Sequence, residues 1–573
     1  MSEYKIEYIK TRNNLESVTV NGYLLHSKYD PIQEASRIVE KEFEQGYVYI
    51  LFGYGLGYLA EVLYEKIEDA TKLIIIDPIY PLINAEEKIG KFTIIHELKK
   101  NELEVLIAGA LRNLSRKIKV ICSPNYDKVL PNEMKRVLEI IKEVQRMLQV
   151  QENTIRLFSD NWQENYIQNL FNVSQDNPLG NLKKIYTCPV ILASGGPSLT
   201  KQLSLLKEIK NQVIIIAAGS TINSLLANEI EPDYIVTIDG GLANYNHFKD
   251  IRKIESKLIY SITSHYKIQD EYTNNKYAFL PASNKVYGEH INKVFSIDLP
   301  LISGGGSVAN FAFSIAAYIT SGPIALIGQD LAYTDGKSHA ESNKRFTEID
   351  LDFGESRTII EIPGYYEGMV ITDYPFLSMK KSFEVLHQKM QHDSPIFNCT
   401  EGGAKIEGMN QLSFVDFCES YVYQQHGVNK EIVKENNYKK INSSIFISKM
   451  NAIINIYNYL IKQLELALKF LNQNNTIGTF NKDILKELSK IDKNLDKKLK
   501  QVSLNYLTDP ITLDILRNYE PKLNESSIET YTRVYNQSKE LYSRLLEAIK
   551  KTKQYSLDTI DKAKRNERGK ENG

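Results

Sequence analysis

Glycines and small polar residues follow each of three short apolar runs in the middle of the sequence. The segments are SGGPS (194–198), GST (219–221) and DGG (239–241). Glycines let a ligand approach the backbone, and a helix that begins after such a turn offers amide groups to a phosphate. A tight turn with an N-cap residue explains each segment alone. Three segments in the same position after successive runs favour one pocket that binds a nucleotide.

Two later segments bring further polar groups. SGGGS (303–307) precedes an apolar stretch with the pattern of a buried helix, which makes it a second candidate anion site; a flexible linker is the alternative. GQDLAYTDGKSH (328–339) follows another apolar run and holds carboxylates, a tyrosine and a histidine. His339 titrates near neutral pH in its unperturbed state, which makes it the first candidate for a base that removes a proton.

We predict catalytic roles for four side chains, His339, Asp239, Asp330 and Tyr333. Either aspartate could replace His339 as the base, and His339 could instead be a surface loop residue. Tyr333 could donate its hydroxyl to a leaving phosphate, or it could pack as an aromatic lid. Asp239 does not belong to the DxD pair that commonly holds a metal diphosphate. We therefore expect no required metal or other cofactor, with a divalent cation as the open alternative.

A last loop of this kind, NCTEGG (398–403), follows the apolar residues Ile396 and Phe397. Glu401 could hold ligand hydroxyls, or it could act as an N-cap or ion-pair residue. The residues that we expect to contact a nucleotide-linked substrate are Ser194, Gly195, Gly196, Pro197, Ser198, Gly219, Ser220, Thr221, Gly240, Ser303, Gly304, Gly305, Ser307, Gln329, Asn398, Thr400, Glu401 and Gly402.

The hydrophobic pattern predicts the elements that must position these residues. Between residues 181 and 430, short apolar runs alternate with amphipathic stretches, which is the pattern of a Rossmann-like parallel sheet with helices on both faces. Residues 1–130 show the same alternation and predict a smaller Rossmann-like domain. Residues 131–180 predict a helical connector. Residues 431–573 lack strand patterns and predict an all-α domain, so the fold class is α/β with a helical C-terminal part.

The turn GYGLG (53–57) in the first domain offers an alternative function. With Asp77 closing the next apolar run, its spacing is typical of a dinucleotide or S-adenosylmethionine site, as in a methyltransferase. A structural Rossmann unit without a ligand is the other interpretation. No catalytic motif in residues 78–130 supports the methyltransferase.

Composition limits the class of protein. A chain of 573 residues is too long for one core, and 42% hydrophobic with 25% charged residues is typical of folded domains. Lys and Arg total 70 against 71 Asp and Glu, which leaves no field to hold nucleic acid or an acidic membrane.

The sequence shows neither an apolar leader nor a stretch of membrane-spanning length, so we expect a cytoplasmic protein. Cys122, Cys188, Cys399 and Cys418 lack CxxC spacing and indicate neither zinc nor disulfides.

Five segments of the chain resemble the motility accessory factor (Maf) family. They are ILASGGPSL (191–199), EPDYIVTIDGG (231–241), LISGGGSV (301–308), ALIGQDLAYTDGKSHA (325–340) and NCTEGGAKIEG (398–408). The resemblance covers residues 185–410, while GYGLGYL (53–59) and the Trp162, Asn165, Asn169 pattern are less specific matches. The shared domain is also similar to CMP-sialic-acid-dependent bacterial sialyltransferases and to archaeal-type pterin pyrophosphokinases.

The resemblance implies a glycosyltransferase. Its reaction would transfer a nonulosonic acid of the pseudaminic or legionaminic type from its CMP ester to Ser or Thr of flagellin, a step needed for flagellum assembly and motility. Flagellin and the CMP-nonulosonic acid would be its partners, and residues 431–573 would bind the acceptor. The loop after Gly336 departs from the sialyltransferases and leaves the base unassigned. A pterin pyrophosphokinase, which would need Mg²⁺ and converging carboxylates, and a non-enzymatic flagellin chaperone are further alternatives.

Overall fold

The structure is a computed structural model that describes residues 4–67, 70–83, 92–113, 117–249, 251, 254–340, 343, 359–424, 440–473, 478–522 and 525–571. The chain divides into two compact units. Unit 1 comprises residues 1–157 and 520–526, and unit 2 comprises residues 158–519 and 527–573. The boundary falls inside one helix, Pro131–Gln175. The finer division at residues 130, 180 and 430 stays a prediction.

Unit 1 is built around a small parallel sheet. Its described elements, in chain order, are β1 (Ile6–Lys10), β2 (Glu16–Val20), β3 (Tyr23–Leu24), α1 (Pro31–Glu42), β4 (Val48–Phe52), α2 (Tyr58–Ile67), β5 (Leu73–Ile76), α3 (Tyr80–Ile83), β6 (Ile94–Ile95), α4 (Lys100–Asn113), β7 (Ile118–Cys122), α5 (Tyr126–Val129) and the first part of α6 (Pro131–Gln175). Strands β1 to β3 form an antiparallel sheet, and the others form a parallel sheet in the order β6-β5-β4-β7.

Helices bury both faces of the parallel sheet in unit 1. All five residues of β4 are buried, as expected of a parallel strand. Val48, Ile50 and Phe52 pack in one cluster with apolar residues of α4 and α6. Tyr49 and Leu51 point to the opposite face and pack with residues of α1 and α2. This arrangement fits the predicted Rossmann-like unit.

Unit 2 continues α6 and contains the large sheet. Its described elements are β8 (Asn177–Pro178), β9 (Val190–Ala193), α7 (Leu199–Ile209), β10 (Ile214–Ala218), α8 (Thr221–Ala227), β11 (Tyr234–Thr237), α9 (Leu242–Phe248), β12 (Lys257–Ser261), α10 (Tyr266–Glu271), β13 (Lys276–Pro281), α11 (Lys285–Phe295), β14 (Leu301–Ile302), α12 (Val308–Ile319), β15 (Ile324–Ile327), β16 (Ile360–Pro363), β17 (Met369–Thr372), α13 (Tyr374–Lys389), β18 (Ile396–Asn398), β19 (Asn410–Gln411), α14 (Phe414–Phe417), α15 (Ser443–Asn472), α16 (Lys482–Leu499), α17 (Asn505–Asn518) and α18 (Ser527–Glu571).

The large sheet is parallel throughout. Ten described strands pair in the order β14-β13-β12-β11-β10-β9-β15-β18-β19, with β8 beside β13. From β9 the chain moves outward strand by strand to β14, and it then returns to the other side of β9 as β15. Strands β16 and β17 form a separate antiparallel pair. The predicted parallel sheet with helices on both faces is confirmed.

The C-terminal helices share a core with one face of this sheet. Met450, Tyr457, Leu460 and Leu464 of α15 lie in the same apolar cluster as Ile191 of β9. Phe446 packs its ring 5.2 Å from that of Phe171 and 5.3 Å from that of Phe295. Helix α12, with nine of its twelve residues buried, covers the opposite face. The helical part predicted from residue 431 is therefore continuous with the core of unit 2.

Among the described residues, every helix is too short or too polar to span a membrane.

Two histidines, the buried His26 and the half-buried His290, are expected to make the stability of the protein depend on pH. Burial lowers the pKa of His26 in unit 1 and of His290 in unit 2 to about 4. An unfolded histidine titrates near pH 6.5. Between about pH 6.5 and pH 4, the unfolded chain therefore binds protons that the two histidines of the folded chain do not bind. Stability is therefore fully present above about pH 6.5 and falls as the pH drops toward about 4, by roughly 3 kcal/mol for each histidine.

We expect urea unfolding, followed by circular dichroism at pH 7.0 and at pH 4.5, to show this loss. His26→Gln and His290→Gln should each flatten the dependence, because each removes one titrating group. A wild-type protein with equal free energies of unfolding at both pH values would contradict the prediction.

Candidate active site

The strand order places a topological switch point between β9 and β15. The chain leaves β9 toward β10 and leaves β15 toward β18, and ligands of open parallel sheets bind at the carboxyl ends of such strands. The two loops are joined there. Ser194 N donates to Ile327 O over 3.0 Å, and Gly196 N donates to Gly328 O over 2.8 Å. The Ser194 hydroxyl donates to Gln329 Oε1 over 2.6 Å.

Asp330 occupies the N-terminus of α7, where we expected a ligand phosphate. Its carboxylate is 2% exposed and accepts hydrogen bonds from Ser198 N at 3.2 Å, Ser198 Oγ at 2.6 Å and Thr334 Oγ1 at 2.7 Å. Burial raises the pKa of this carboxyl, and the hydrogen bonds oppose the rise. Both polar groups of Ser198 are therefore engaged by an internal anion. The predicted contact of Ser198 with substrate stays a prediction.

The SGGPS turn leaves one amide for a ligand. Among the described residues 194–200, every backbone N–H donates within the protein except that of Gly195, and Pro197 has no N–H. Gly195 is half-buried, whereas the adjoining Pro197 is buried. The accessible donor of this turn is thus the Gly195 amide.

Three predicted residues converge at this point. A methyl group placed on Gly195 would lie 3.3 Å from Thr221 Oγ1 and 3.7 Å from His339 Cδ2. The loops after β9, β10 and β15 therefore meet here. His339 is half-buried, and its Nδ1 lies 3.1 Å from Ser338 Oγ. Gly195, Thr221 and His339 are neutral or basic residues. They would not repel a bound phosphate, so the position suits an anionic ligand.

The loop after β18 is pinned to the same edge of the sheet. Thr400 Oγ1 accepts from Gln329 N at 3.1 Å, and Asn398 Oδ1 accepts from Thr400 N at 3.2 Å. A methyl group on Gly402 would collide with Ser198 Oγ. These contacts explain why small and amide residues stand here. They place Thr400, Asn398 and Gly402 in the buried base of the loops.

Glu401 has a use within the fold. Its carboxylate accepts from Phe414 N at 2.9 Å at the start of α14, which is the capping type of role that we gave as the alternative to substrate binding. Its backbone is left-handed, with φ at +56°. Leu331 and Asp335 in the loop after β15 are also left-handed, with φ at +54° and +53°. Such strain in non-glycine residues gathers at functional loops.

Tyr333 packs as an aromatic of the loop. It is 8% exposed, its hydroxyl donates to Asp373 Oδ2 over 2.7 Å, and its ring centroid lies 5.3 Å from that of Phe376. This geometry fits the packing alternative. A contact with a leaving phosphate stays a prediction.

The SGGGS loop lies beside the loop after β10. A methyl group on Gly219 would stand 3.0 Å from Val308 Cγ1, at the first residue of α12. Ser307 caps α12 by accepting from Asn310 N at 3.3 Å. Gly304 is close to Phe311 of α12. The two residues beside Gly304 differ in their surroundings. Ser303 is exposed, whereas a methyl group on Gly305 would collide with the side chain of Ser382.

Asp239 is displayed on a rigid loop. Asn244 Nδ2 and His265 N donate to its carbonyl oxygen at 2.7 and 3.1 Å, and Asn165 Nδ2 donates to the carbonyl oxygen of Gly240 at 3.0 Å. Asp239 itself is exposed, whereas Gly240 is buried. Ser220, like Asp239, lies at the surface of its turn and is partly exposed. The backbone of this loop is thus held by hydrogen bonds, and Asp239 is an exposed residue on it.

Sequence reasoning named Trp162 and Asn165 beside this loop but missed His265. His265 follows β12 and stacks between Tyr245 and Tyr266, with ring centroids 5.1 and 5.4 Å away. Burial is the main cause that lowers its pKa. The rule that selected the other loops, polar residues after an apolar run, would have found it after Leu258 to Ile262. Trp162 of α6 lies 3.4 Å from a methyl group placed on Gly240.

The GYGLG turn of unit 1 is filled by the protein itself. Asp77 Oδ2 accepts from Tyr54 N at 2.9 Å, Gly55 N at 3.2 Å and Tyr126 Oη at 2.6 Å. His26 Nε2 accepts from Leu56 N at 2.8 Å. The carboxylate that a ribose would need is thus bonded to the turn. This geometry favours the structural interpretation of the turn over the methyltransferase.

The arrangement of the His, Cys, Asp and Glu side chains bears on metal binding and on redox chemistry. Within the described ranges, no three His, Cys, Asp or Glu side chains form a cluster that could hold a metal ion. The four cysteines are free thiols, of which Cys188, Cys399 and Cys418 are buried.

Comparison with known proteins gives two sequence matches. The family described as "6-hydroxymethylpterin diphosphokinase MptE-like" matches residues 164–336. An uncharacterized protein of Treponema pallidum (strain Nichols) is 22% identical over 212 residues, which cover 34% of this chain and 70% of that protein. The family match includes the SGGPS, GST, DGG and SGGGS loops.

One solved structure matches nearly the whole chain. The Maf glycosyltransferase from Magnetospirillum magneticum AMB-1 aligns over 98% of this chain and 92% of that chain, with a TM-score of 0.53 and 14% identity. At this identity the match shows a shared fold. The resemblance to Maf proteins and to the pterin diphosphokinase domain, which the sequence indicated, is therefore confirmed.

Proposed function

We propose that the protein is a glycosyltransferase that moves a nonulosonic acid from its CMP ester to Ser or Thr of flagellin. The observation that carries the proposal is the convergence of Gly195, Thr221 and His339 at the switch point of a parallel sheet. The fold match to a Maf glycosyltransferase supports the reaction class, and the sugar and the acceptor rest on the resemblance alone.

The chemistry requires a base and donors to the leaving group. The acceptor hydroxyl oxygen bonds to the anomeric carbon as the bond to the CMP phosphate oxygen breaks, so CMP leaves as a phosphate monoester. His339 takes the hydroxyl proton, and the Gly195 amide donates to the departing phosphate. No step requires a metal, and we propose that no cofactor is needed.

Asp239 is proposed to orient a substrate hydroxyl. Asp239→Asn should keep the fold, because backbone hydrogen bonds from Asn244 and His265 hold the loop. We expect turnover to fall about tenfold with little change in thermal stability, since an amide is a weaker acceptor than a carboxylate. Initial rates of sugar transfer to flagellin, detected by intact-protein mass, measure the effect. Wild-type turnover in the folded variant would remove Asp239 from the site.

Nucleotide titration tests the reaction class. Trp162 is the only tryptophan and lies near Gly240, so its fluorescence can report binding. We expect CMP to bind with and without EDTA. ATP binding that requires Mg²⁺, without CMP binding, would favour the pterin diphosphokinase chemistry. Binding of S-adenosylmethionine alone would refute the transferase.

The acceptor site is proposed to lie on the C-terminal helices. A groove of about 570 Å³ runs between α15 and α18 and is lined by Asn458, Ile461, Lys462, Glu465, Lys550, Lys553, Gln554 and Leu557. Lys550 pairs with Glu465 at 2.8 Å. Among the described residues, Lys462 and Lys553 have no ion-pair partner. An acidic segment of an acceptor polypeptide would complement them.

A further inference from the structure

Glycine-rich turns between a strand and a helix commonly bind phosphate, because their amides and the helix N-terminus face the ligand. Two of the glycine-rich turns in this chain, SGGPS in unit 2 and GYGLG in unit 1, share a further feature. An aspartate follows the neighbouring parallel strand in both cases. Asp330 follows β15, which pairs with β9, and Asp77 follows β5, which pairs with β4.

Both aspartates accept hydrogen bonds from the turn beside them. Asp330 is bonded by the amide and the hydroxyl of Ser198, and Asp77 by the amides of Tyr54 and Gly55. Each also accepts from a hydroxyl: Asp330 from Thr334 Oγ1 of its own loop at 2.7 Å, and Asp77 from Tyr126 Oη, which follows β7, at 2.6 Å. Asp330 is 2% exposed and Asp77 is fully buried. A buried carboxylate that accepts hydrogen bonds from a glycine-rich turn thus occurs in both units.

The glycines make room for the carboxylate. A methyl group on Gly196 would collide with Asp330 Oδ1, and one on Gly403 would collide with the Asp330 backbone. Ala404 N donates to Asp330 O over 2.7 Å. Asp330 therefore joins the loops after β9, β15 and β18, and the second of these carries Tyr333 and His339.

We propose that Asp330 and Asp77 are built-in anions. Asp330 takes the place of a ligand phosphate at the N-terminus of α7, and Asp77 takes its place at the GYGLG turn. Asp330 is then a positioning residue for the loop with His339, and it is neither the base nor a contact of substrate. The donor phosphate must be bound by groups other than the N-terminus of α7. The part of this proposal that concerns His339 rests on the proposed function; the part that concerns the turns does not.

Removal of the carboxylate should create an anion site. In Asp330→Ala, the amide and hydroxyl of Ser198 face a hole about the size of formate. We expect 0.1 M sodium formate to raise the melting temperature of this variant by about 2 °C over 0.1 M sodium chloride. Wild type and Asp330→Asn, whose side chains fill the hole, should show no difference between the two salts.

A folded Asp330→Ala protein that responds equally to formate and chloride would overturn the proposal. If the variant is insoluble, refolding in formate against chloride replaces the melting test; recovery only in formate supports the proposal, and recovery in neither counts against it. Asp77→Ala gives the same test for unit 1. All these readouts are independent of enzymatic activity.

The positioning role has its own readout. Asp330→Asn should lower the turnover of sugar transfer about tenfold and leave the shape of the pH–rate profile unchanged, because the titrating base is intact. Loss of the acidic limb of the profile would identify Asp330 as the base and overturn the positioning role. Absence of sugar transfer in wild type would instead reject the proposed function, and the formate result would still stand.

Discussion

Deletion of residues 431–573 is expected to leave a protein that does not fold. The deletion removes helix α15, whose Phe446, Met450 and Tyr457 are buried in the core that covers the large sheet. It also removes residues 520–526, which belong to unit 1. Expression of the truncated chain and analytical gel filtration of its soluble fraction measure the result. A soluble monodisperse protein that still binds CMP would show that these helices are a separate module.

A matched pair of point variants measures how much the burial of α15 contributes to the free energy of unfolding. Leu464 is fully buried and Leu466, two residues along α15, is 37% exposed. Leu464→Ala should lower the free energy of unfolding by about 2–5 kcal/mol, as core leucines do, whereas Leu466→Ala should change it by less than about 1 kcal/mol. Equal losses in urea unfolding would mean that the helices do not share the core of the sheet.

Acceptor binding therefore has to be tested without truncation. The double variant Lys462→Glu and Lys553→Glu reverses the charge of the groove between α15 and α18 while changing two side chains that have no ion-pair partner among the described residues. Weaker flagellin capture with unchanged CMP affinity would support the acceptor site proposed there.

Gly196→Val is expected to abolish activity through the fold. A Cβ atom at this position would collide with Asp330 Oδ1 and lie 2.6 Å from the backbone oxygen of Gly328, and neither can move without breaking the joined loops. Overpacking of this kind costs about 1–3 kcal/mol, and the disrupted hydrogen bonds of Asp330 add to it. We expect both sugar transfer and the melting temperature to fall.

The control for this substitution is Gly180→Val. Gly180 is exposed, has no heavy atom within 4 Å of an added Cβ and lies in the same unit. It should retain wild-type turnover and lose little stability. If the Gly196→Val protein has the melting temperature of wild type but is inactive, Gly196 acts by contacting substrate and not by packing against Asp330.

The pattern of short apolar runs was sufficient to predict the parallel sheet, because strands buried on both faces have few alternatives. β9, β10 and β11 lie where the runs are, and the glycine turns follow them. Period and run length are local properties, so they can be read from one sequence. The convergence of Gly195, Thr221 and His339 followed from the shared end of the sheet.

Strand order is not a local property, and the missed features depend on it. Ser198 and Asp330 are 132 residues apart in the sequence, and they meet only because β15 returns beside β9. His26 reaches Leu56 across 30 residues in the same way. The shared core of α15 and the sheet likewise requires partners that apolar periodicity does not identify. A sequence predicts which faces are apolar, but it does not say which faces meet.

The late position of α15 to α18 in the chain sets the order in which the protein can mature on the ribosome. Residue 193 ends β9, but helix α15, which completes the cover of that face of the sheet beside α6 and α7, begins at residue 443. At a synthesis rate of about 5–20 residues per second, at least about ten seconds pass between the synthesis of β9 and that of α15. During this time an apolar surface is exposed on the nascent chain. Chaperones that bind exposed apolar surfaces are therefore expected to associate with this chain until translation is nearly complete.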